Sequence, residues 1–452
     1  MSELKSWRFA GARVARAPYD ATQLDLEIQA GRIHSLCSSL LQDETSSPLQ
    51  LNLAGMLVLP GLVNSHDHLE FGIFPRLGNR TYANAQEWAR DIYHPDESPL
   101  REILQVPKAT RLFWGGLKNL LCGVTTVCHH NEYEPDVFEN RFPVRVLKRC
   151  GWSHSFAFSQ DVQADFERTL DGAPFFIHLA EGTDAESRNE FEQLNRLGLL
   201  NGQTVIVHGV ALLSQDWELA RRRGARVVWC PSSNLFTLGQ TLDLSLLPLD
   251  LEIALGNDSP LSAAGDLLDE IRFAYLQIPP YQGGQVPQAS GGCLSGSRPV
   301  AANEGHPPQA DACLPLEKGE SLAFDAAGRL YLMVTTSAAH VMGLDQGEGT
   351  IVKGGLADLV VVEDTGPYPS QQLPQLSAAD IELVMVGGEI MLASARLAPQ
   401  LPPALRSCMQ AFSYDEREYL VALDIQPHWE ATRRILGNNF QLAGKKIHLL
   451  ER

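Results

Sequence analysis

An α/β fold is predicted for this chain: a (β/α)8 TIM barrel with a small β domain assembled from the two ends. Three observations predict it. Short apolar runs, "GVTTVCHH", "SHSFAF", "PFFIHLAE", "TVIVHGV", "ARVVWCPSSN" and "LEIALGNDS", alternate with helix-periodic stretches such as "DAESRNEFEQLNRLGLL" and "SQDWELARRRGA". Apolar strands alternating with helices indicate a parallel sheet covered by helices. Eight such units need about 250 residues, and Leu59 to about Gly343 fits once an insertion is set aside. The ends have a different texture, with apolar residues at period two.

Residues 1–58 supply "WRFAGARVARA", "LDLEIQAGRIHSLCS" and "LQLNLAGMLVLP", read as strands of the small β domain. Residues 59–343 are the barrel, closed by a last helix at "MVTTSAAHVMGL". Within it, 279–320 is rich in Gly, Pro, Ala and Ser without periodicity and reads as a flexible insertion. His306 lies inside that insertion and is set aside as a ligand. Residues 344–400 return to short strands, "GTIVKGG", "ADLVVVED" and "IELVMVGGEIML", the second half of the β domain. The tail, 401–452, carries two helix-like stretches, "ALRSCMQAF" and "WEATRRIL".

With 452 residues the chain can bury a large core. Its formal net charge of -18 disfavours nucleic acid and anionic membrane surfaces, which would repel it. Eight scattered cysteines without a C-x-x-C pair suit a reducing cytoplasm better than a disulfide framework. The first 20 residues have no apolar core of signal-peptide length, and no stretch approaches the roughly 20 apolar residues that span a bilayer. The expected partner is a small-molecule substrate. A homo-oligomer is compatible with the sequence.

Chemistry in such a barrel gathers where strands end. In "LPGLVNSHDHLEF", Leu59–Phe71, residues two apart share a face, so His66 and His68 project together and Asp67 projects the other way. His178, His208 and Asp258 each close an apolar run, and Glu181 follows His178 by three residues. A lone buried histidine is usually a hydrogen-bonded core residue. Several such groups at one end of successive strands would be costly to desolvate without a shared purpose. Three histidines and a carboxylate make a site for a divalent metal, zinc or iron(II), with one position left for water. A neighbouring carboxylate can then move protons.

The motifs "PGLVNSHDH", "IHLAEG", "VHGV", "CPSSN", "LGNDS" and "GTIVKGGLADLVVVE" occur in this order. Together they resemble the amidohydrolase superfamily, in its cytosine-deaminase-like and chlorohydrolase-like branch, over about residues 20 to 390. The resemblance implies a barrel with a composite β-sandwich built from both ends. It implies His66, His68, His178 and Asp258 as metal ligands, with Glu181, His208 and Asp258 catalytic. The implied reaction is attack of a metal-bound hydroxide on an amino-substituted N-heterocycle, releasing ammonia. The alternatives are hydrolysis of another C–N or C–Cl bond at the same site, or a non-catalytic binding protein.

Three departures bear on the substrate. Asn257 stands where Thr or Ser usually precedes the aspartate, and Trp229 where relatives often have His. His129 and His130 end "GVTTV", where relatives commonly have an acidic or apolar residue. These two point to opposite faces, so only one can face the barrel mouth and contact substrate. Between His130 and His178 the only lysine is Lys148, in a stretch read as helix, so a carboxylated bridging lysine is not expected and one metal is.

Overall fold

The computed structural model describes residues 6–38, 49–278 and 326–450; the insertion expected at 279–320 lies outside them. A three-stranded and a five-stranded parallel sheet form the centre. In chain order the strands are Leu62–Asp67, Val124–His129, Arg145–Val146, Gly151–Ser153, Phe175–Leu179, Thr204–His208, Arg226–Trp229 and Ile253–Leu255. The first and eighth meet where Asp67 bridges Asp258. There Asp258 N–H donates to His66 O (3.0 Å), and His68 N–H donates to Asp258 O (3.3 Å). Among the described residues no ladder joins Arg145–Val146 to Gly151–Ser153.

The strands are apolar on both faces, as parallel strands between two layers must be. Phe175, Ile177 and Leu179 pack into the outer core beneath the helices, while Phe176 joins Val205, Val207, Val228 and Ala254 inside. The helices bury one stripe each. Ala185–Arg196 is capped by Asp184, whose side chain accepts from Ser187 N (2.9 Å), and buries Phe191 and Leu194. Ser214–Arg223 buries Trp217 and Ala220 and stops at Gly224, φ +76°. No helix among the described residues is long and apolar enough to cross a membrane.

Strands from both ends of the chain share one 12-stranded sheet. Met56–Pro60 pairs antiparallel with Leu359–Glu363, so the segment leading into the first parallel strand is stitched to the far end. Arg145 ties this sheet to the parallel core, its guanidinium 2.6 Å from the buried Asp358 carboxylate.

Four local expectations change. "GTIVKGG" forms turns instead of a strand, because Gly349 and Gly354 adopt positive φ. The run "SHSFAF" is strand only as far as Ser153. Lys148 lies in irregular chain, exposed and paired with Glu139, and not in a helix. In "ALRSCMQAF" the helix ends at Arg406, and Gln410–Tyr414 is a strand paired with Arg417–Val421. Pairing across the tail overrides the weak helical pattern there. The stretch "WEATRRIL" lies within the helix Gln426–Leu436.

Two glycines allow the close approaches on which the centre depends. A Cβ at Gly115 would lie 2.0 Å from Leu69 O, so helix Lys108–Leu121 can press against the turn after His68 only there. A Cβ at Gly256 would meet His66 Cβ at 2.6 Å and Val228 Cγ1 at 2.8 Å. Gly256→Ala is therefore expected to destabilise the fold by about 1–3 kcal/mol, the usual scale of overpacking. The midpoint of urea unfolding measures it; an unchanged midpoint would contradict the contact.

Candidate metal centre

Four ligand-type atoms from the first, fifth and eighth strands converge. His178 Nε2 lies 3.2 Å from His66 Nε2 and 3.4 Å from His68 Nε2. Asp258 Oδ1 is 3.8 Å from His66 Nε2 and 3.7 Å from His68 Nε2. Ligand atoms about 2.0–2.1 Å from a tetrahedral ion lie about 3.4 Å from one another. Burial, and the neighbouring imidazoles for each ring, push the pKa values of His66, His68 and His178 well below the usual histidine range. Three neutral imidazoles aiming bare nitrogens at one point repel unless a cation sits between them. The donor set therefore fits a divalent metal.

The surrounding hydrogen bonds fix the tautomers this requires at His178 and His66. His178 Nδ1–H donates to the His154 carbonyl (2.7 Å), which leaves Nε2 bare. His130 Nε2–H donates to Ser153 O (3.0 Å), so its Nδ1 accepts from His66 Nδ1–H at 3.1 Å, and His66 Nε2 is bare too. His68 Nδ1 lies 3.3 Å from the Asn131 side-chain amide, which also touches Glu70 Oε1 (2.5 Å). Ligation through His68 Nε2 asks that amide to turn its oxygen toward His68 Nδ1–H. Asp258 Oδ2 accepts from Ser233 Oγ (2.5 Å) and Ser262 Oγ (3.2 Å), which leaves Oδ1 for the ion. Burial raises its pKa to about 6 against the pull of those two hydroxyls. A second grouping, His66 with His130 and His178, also brings its ring nitrogens within 4.8 Å of one another. We discount it because His130 approaches the Nδ1 side of His66, away from the converging Nε2 atoms.

Glu181 and His208 stand together at the edge, Oε2 to Nε2, at 3.5 Å. Asn234 Nδ2 donates to His208 Nδ1 (2.8 Å), so His208 Nε2 carries the proton and points at Glu181. Burial, then the charges of Asp258 and Glu190, hold the Glu181 carboxyl well above its ordinary range. Backbone conformation aims these groups. Val205 and Val207 face inward, so simple alternation would turn His208 outward. A left-handed φ of +74° returns it to the centre. Ala180 (+54°), between His178 and Glu181, and Asp258 (+57°) adopt the same unusual region.

His130 joins the cluster behind His66. His129 turns away, its Nδ1 accepting from Leu69 N (3.3 Å) and its Nε2 3.7 Å from Glu70 Oε2. Asp67 also faces away, 2.8 Å from Lys118 Nζ, which in turn donates to Asn257 Oδ1 (2.7 Å). The departure at Asn257 is thus a partner for a buried lysine. Trp229 is core, donating to Thr241 Oγ1 at 2.8 Å. Not singled out from the sequence were His154, whose ring is 4.7 Å from that of His178, and Asn131, Ser233, Asn234, Ser262 and Glu190. His154 directly follows the short strand Gly151–Ser153. Ser233 and Asn234 sit inside "CPSSN".

The segment after the first strand crosses this face. Leu77 N–H donates to Leu261 O (2.9 Å), Tyr82 N–H to Thr237 O (2.8 Å) and Ala85 N–H to Glu181 O (3.0 Å). Beneath it, beside His178, Glu181 and Asn84, lies a cavity of about 20 Å³.

No family model matches the chain. Over 414 residues it is 26% identical to a 5-methylthioadenosine/S-adenosylhomocysteine deaminase of Natronomonas pharaonis, covering 77% of this chain and 84% of that protein. It is 23% identical over 399 residues to a 5'-deoxyadenosine deaminase of Methanothermobacter thermautotrophicus, covering 76% and 83%. A zinc-bound adenosine deaminase from Xanthomonas campestris has a similar fold, with TM-score 0.64 at 17% identity over 95% of this chain and 97% of that one. So does the atrazine chlorohydrolase of Arthrobacter aurescens TC1 complexed with zinc, with TM-score 0.61 at 17% identity over 95% and 99%.

Proposed function

We propose, for a chain that is an amidohydrolase-superfamily hydrolase acting on C–N bonds, that its reaction is the metal-dependent deamination of a 6-aminopurine nucleoside. The observation that carries the proposal is the convergence of three imidazole Nε2 atoms and Asp258 Oδ1 beside the Glu181–His208 pair. The sequence relatives named as deaminases of adenosine derivatives support the substrate class. His66, His68, His178 and Asp258 would hold the ion, which we take as zinc from the donor set and the zinc-bound neighbours. When bound, such an ion supplies the Lewis acidity that makes water a nucleophile near neutral pH.

The residues do the rest. Glu181, kept protonated by its surroundings, gives its proton to the ring nitrogen beside the amino-bearing carbon. His208, its Nδ1 held by Asn234, offers an Nε2–H to the attacking oxygen. Asp258, steadied by Ser233 and Ser262, accepts the proton that water gives up and passes it to the departing amine. As ammonia leaves, the proton remaining on the added oxygen returns to the Glu181 carboxylate, and a carbonyl is left. A nucleoside does not fit in about 20 Å³, so its entry requires one wall of the cavity, the segment at Asn84–Gln86 or that at Ser155–Phe158, to move.

The eight parallel strands we take as a closed (β/α)8 barrel over 59–343. Residues 1–58 and 344–400 would be halves of a composite β-sandwich, supported by the shared sheet, and 401–452 an appended tail. A cytoplasmic location is supported by the free thiols of Cys37, Cys122, Cys128, Cys150, Cys230 and Cys408.

Of the two histidines expected to meet substrate, we assign His130 to orienting His66 and His129 to the Glu70 side. His130→Asn should weaken metal affinity by roughly 10- to 100-fold, the usual scale for losing a group that orients a ligand. Competition with a chromogenic chelator measures it; wild-type affinity would return His130 to a substrate role.

The test of function is ammonia release by zinc-loaded protein from adenosine, 5'-deoxyadenosine, a 5'-thioether adenosine and an aminotriazine. Turnover of a nucleoside supports the proposal. Chloride release from a chlorotriazine without nucleoside turnover would replace it with C–Cl hydrolysis.

A further inference from the structure

The loop that carries Asp258 is tied to the far end of the chain. Lys445, in strand Lys445–Leu449, places its Nζ on Asp266 and, at 2.8 Å, on Asp269 Oδ2. The Asp266 side chain is fully buried. It caps helix Leu267–Gln277, accepting from Leu268 N (2.9 Å) and Asp269 N (3.2 Å). One residue earlier, Gly265 O accepts from Asn257 Nδ2 at 3.1 Å, and Asn257 precedes Asp258. The tail also reaches the other ligand-bearing loop: Ala443 N–H donates to Gly72 O at 3.1 Å, four residues past His68. A cavity of about 600 Å³ lies between these three segments, lined by Phe74, Arg76, Pro260, Gly265, Ala443 and Gly444 among others.

We propose that the C-terminal hairpin clamps the metal centre, with Lys445 a positioning residue that holds Asp258 in place through Asp266, Gly265 and Asn257. The inference rests on the assignment of Asp258 as a metal ligand. Without the ammonium, Asp266 becomes a buried carboxylate facing Asp269 with no cation against it. The nearest relief is to swing the start of helix Leu267–Gln277 outward, which drags Gly265 and Asn257 with it. Asp258 sits at φ +57°, a conformation that persists only where its surroundings over-determine it. Loosening its neighbour therefore releases its aim. Nothing else so far assigned accounts for the tail.

The experiment uses full-length protein loaded with cobalt(II). It follows the visible absorption band, the rate of metal loss to a chelator, and the melting temperature. Lys445→Met should lose metal about tenfold faster than wild type, with a shifted band. Lys445→Arg should restore the rate to within a few-fold. Asn257→Ser, which breaks the same chain of contacts nearer the centre and also removes one contact of Lys118 while leaving that lysine paired with Asp67, should accelerate loss too, and it serves if Lys445→Met does not fold. Leu26→Ala is the control, because Leu26 is buried in the separate core of the strands from the chain ends and touches none of these contacts. It should lower the melting temperature yet keep the wild-type rate. Metal loss by Lys445→Met and Asn257→Ser at the wild-type rate, or no faster than by Leu26→Ala, overturns the clamp. If Asp258→Asn holds metal as tightly as wild type, the ligand assignment itself fails, and the clamp with it. A metal-poor Asp258→Asn beside wild-type retention in the other variants sinks the clamp alone.

Discussion

Replacing His66 with alanine is expected to strip the protein of its metal and reduce turnover to background. His66 is fully buried, and its Nε2 faces both His178 Nε2 (3.2 Å) and Asp258 Oδ1 (3.8 Å), so its loss opens the centre of the ligand set. His68, His178 and Asp258 would remain, but with one ligand fewer and a cavity where the imidazole stood. The change also removes the Nδ1–H that His130 receives, leaving a buried acceptor without its donor. Elemental analysis of protein purified under metal-replete conditions should give one equivalent for wild type and much less for His66→Ala. Two tightly bound equivalents in wild type would contradict a single centre. So would full occupancy in the variant. Lys148, the lysine between His130 and His178, is exposed and paired with Glu139, which is compatible with a single equivalent.

Glu181→Gln is expected to keep the metal and the fold while kcat falls by roughly 10² or more, the scale for removing a general acid or base. Glutamine retains the size and a hydrogen-bonding end for His208 but cannot deliver a proton. The wild-type carboxyl is prepared for that task by burial and by the charges of Asp258 and Glu190, all of which favour its protonated form. An amide is indifferent to those charges, so the variant should be no less stable and could gain slightly. The diagnostic pattern is a loss in kcat with metal content and melting temperature unchanged. Activity within a few-fold of wild type on the true substrate would remove Glu181 from the proton path.

Much of the centre was legible in the sequence because it depends on local pattern. The spacing of His66 and His68 around Asp67 follows from strand alternation alone, and both imidazoles do reach one point while Asp67 turns to Lys118. The ends of the apolar runs marked His178, His208 and Asp258, since a buried strand announces its own termination. The two β halves were legible for the same reason, although the sequence carries no sign that Met56–Pro60 would lie against Leu359–Glu363.

What the sequence determined by itself is therefore the order of strands, their apolar faces and the residue types at their ends; these are fixed by side-chain periodicity within a few residues. Only the tertiary structure decided which nitrogen of His66 and of His178 is bare, because that depends on Ser153, His154 and His130, brought in from other parts of the chain. It alone decided that His208 faces inward, because a left-handed φ of +74° cancels the alternation that would have turned it out. It also decided that Gln410–Tyr414 is a strand and that Lys445 bears on the Asp258 loop. Tautomer, backbone strain and the pairing of a buried charge are settled by neighbours up to hundreds of residues away, and a local pattern holds no record of them.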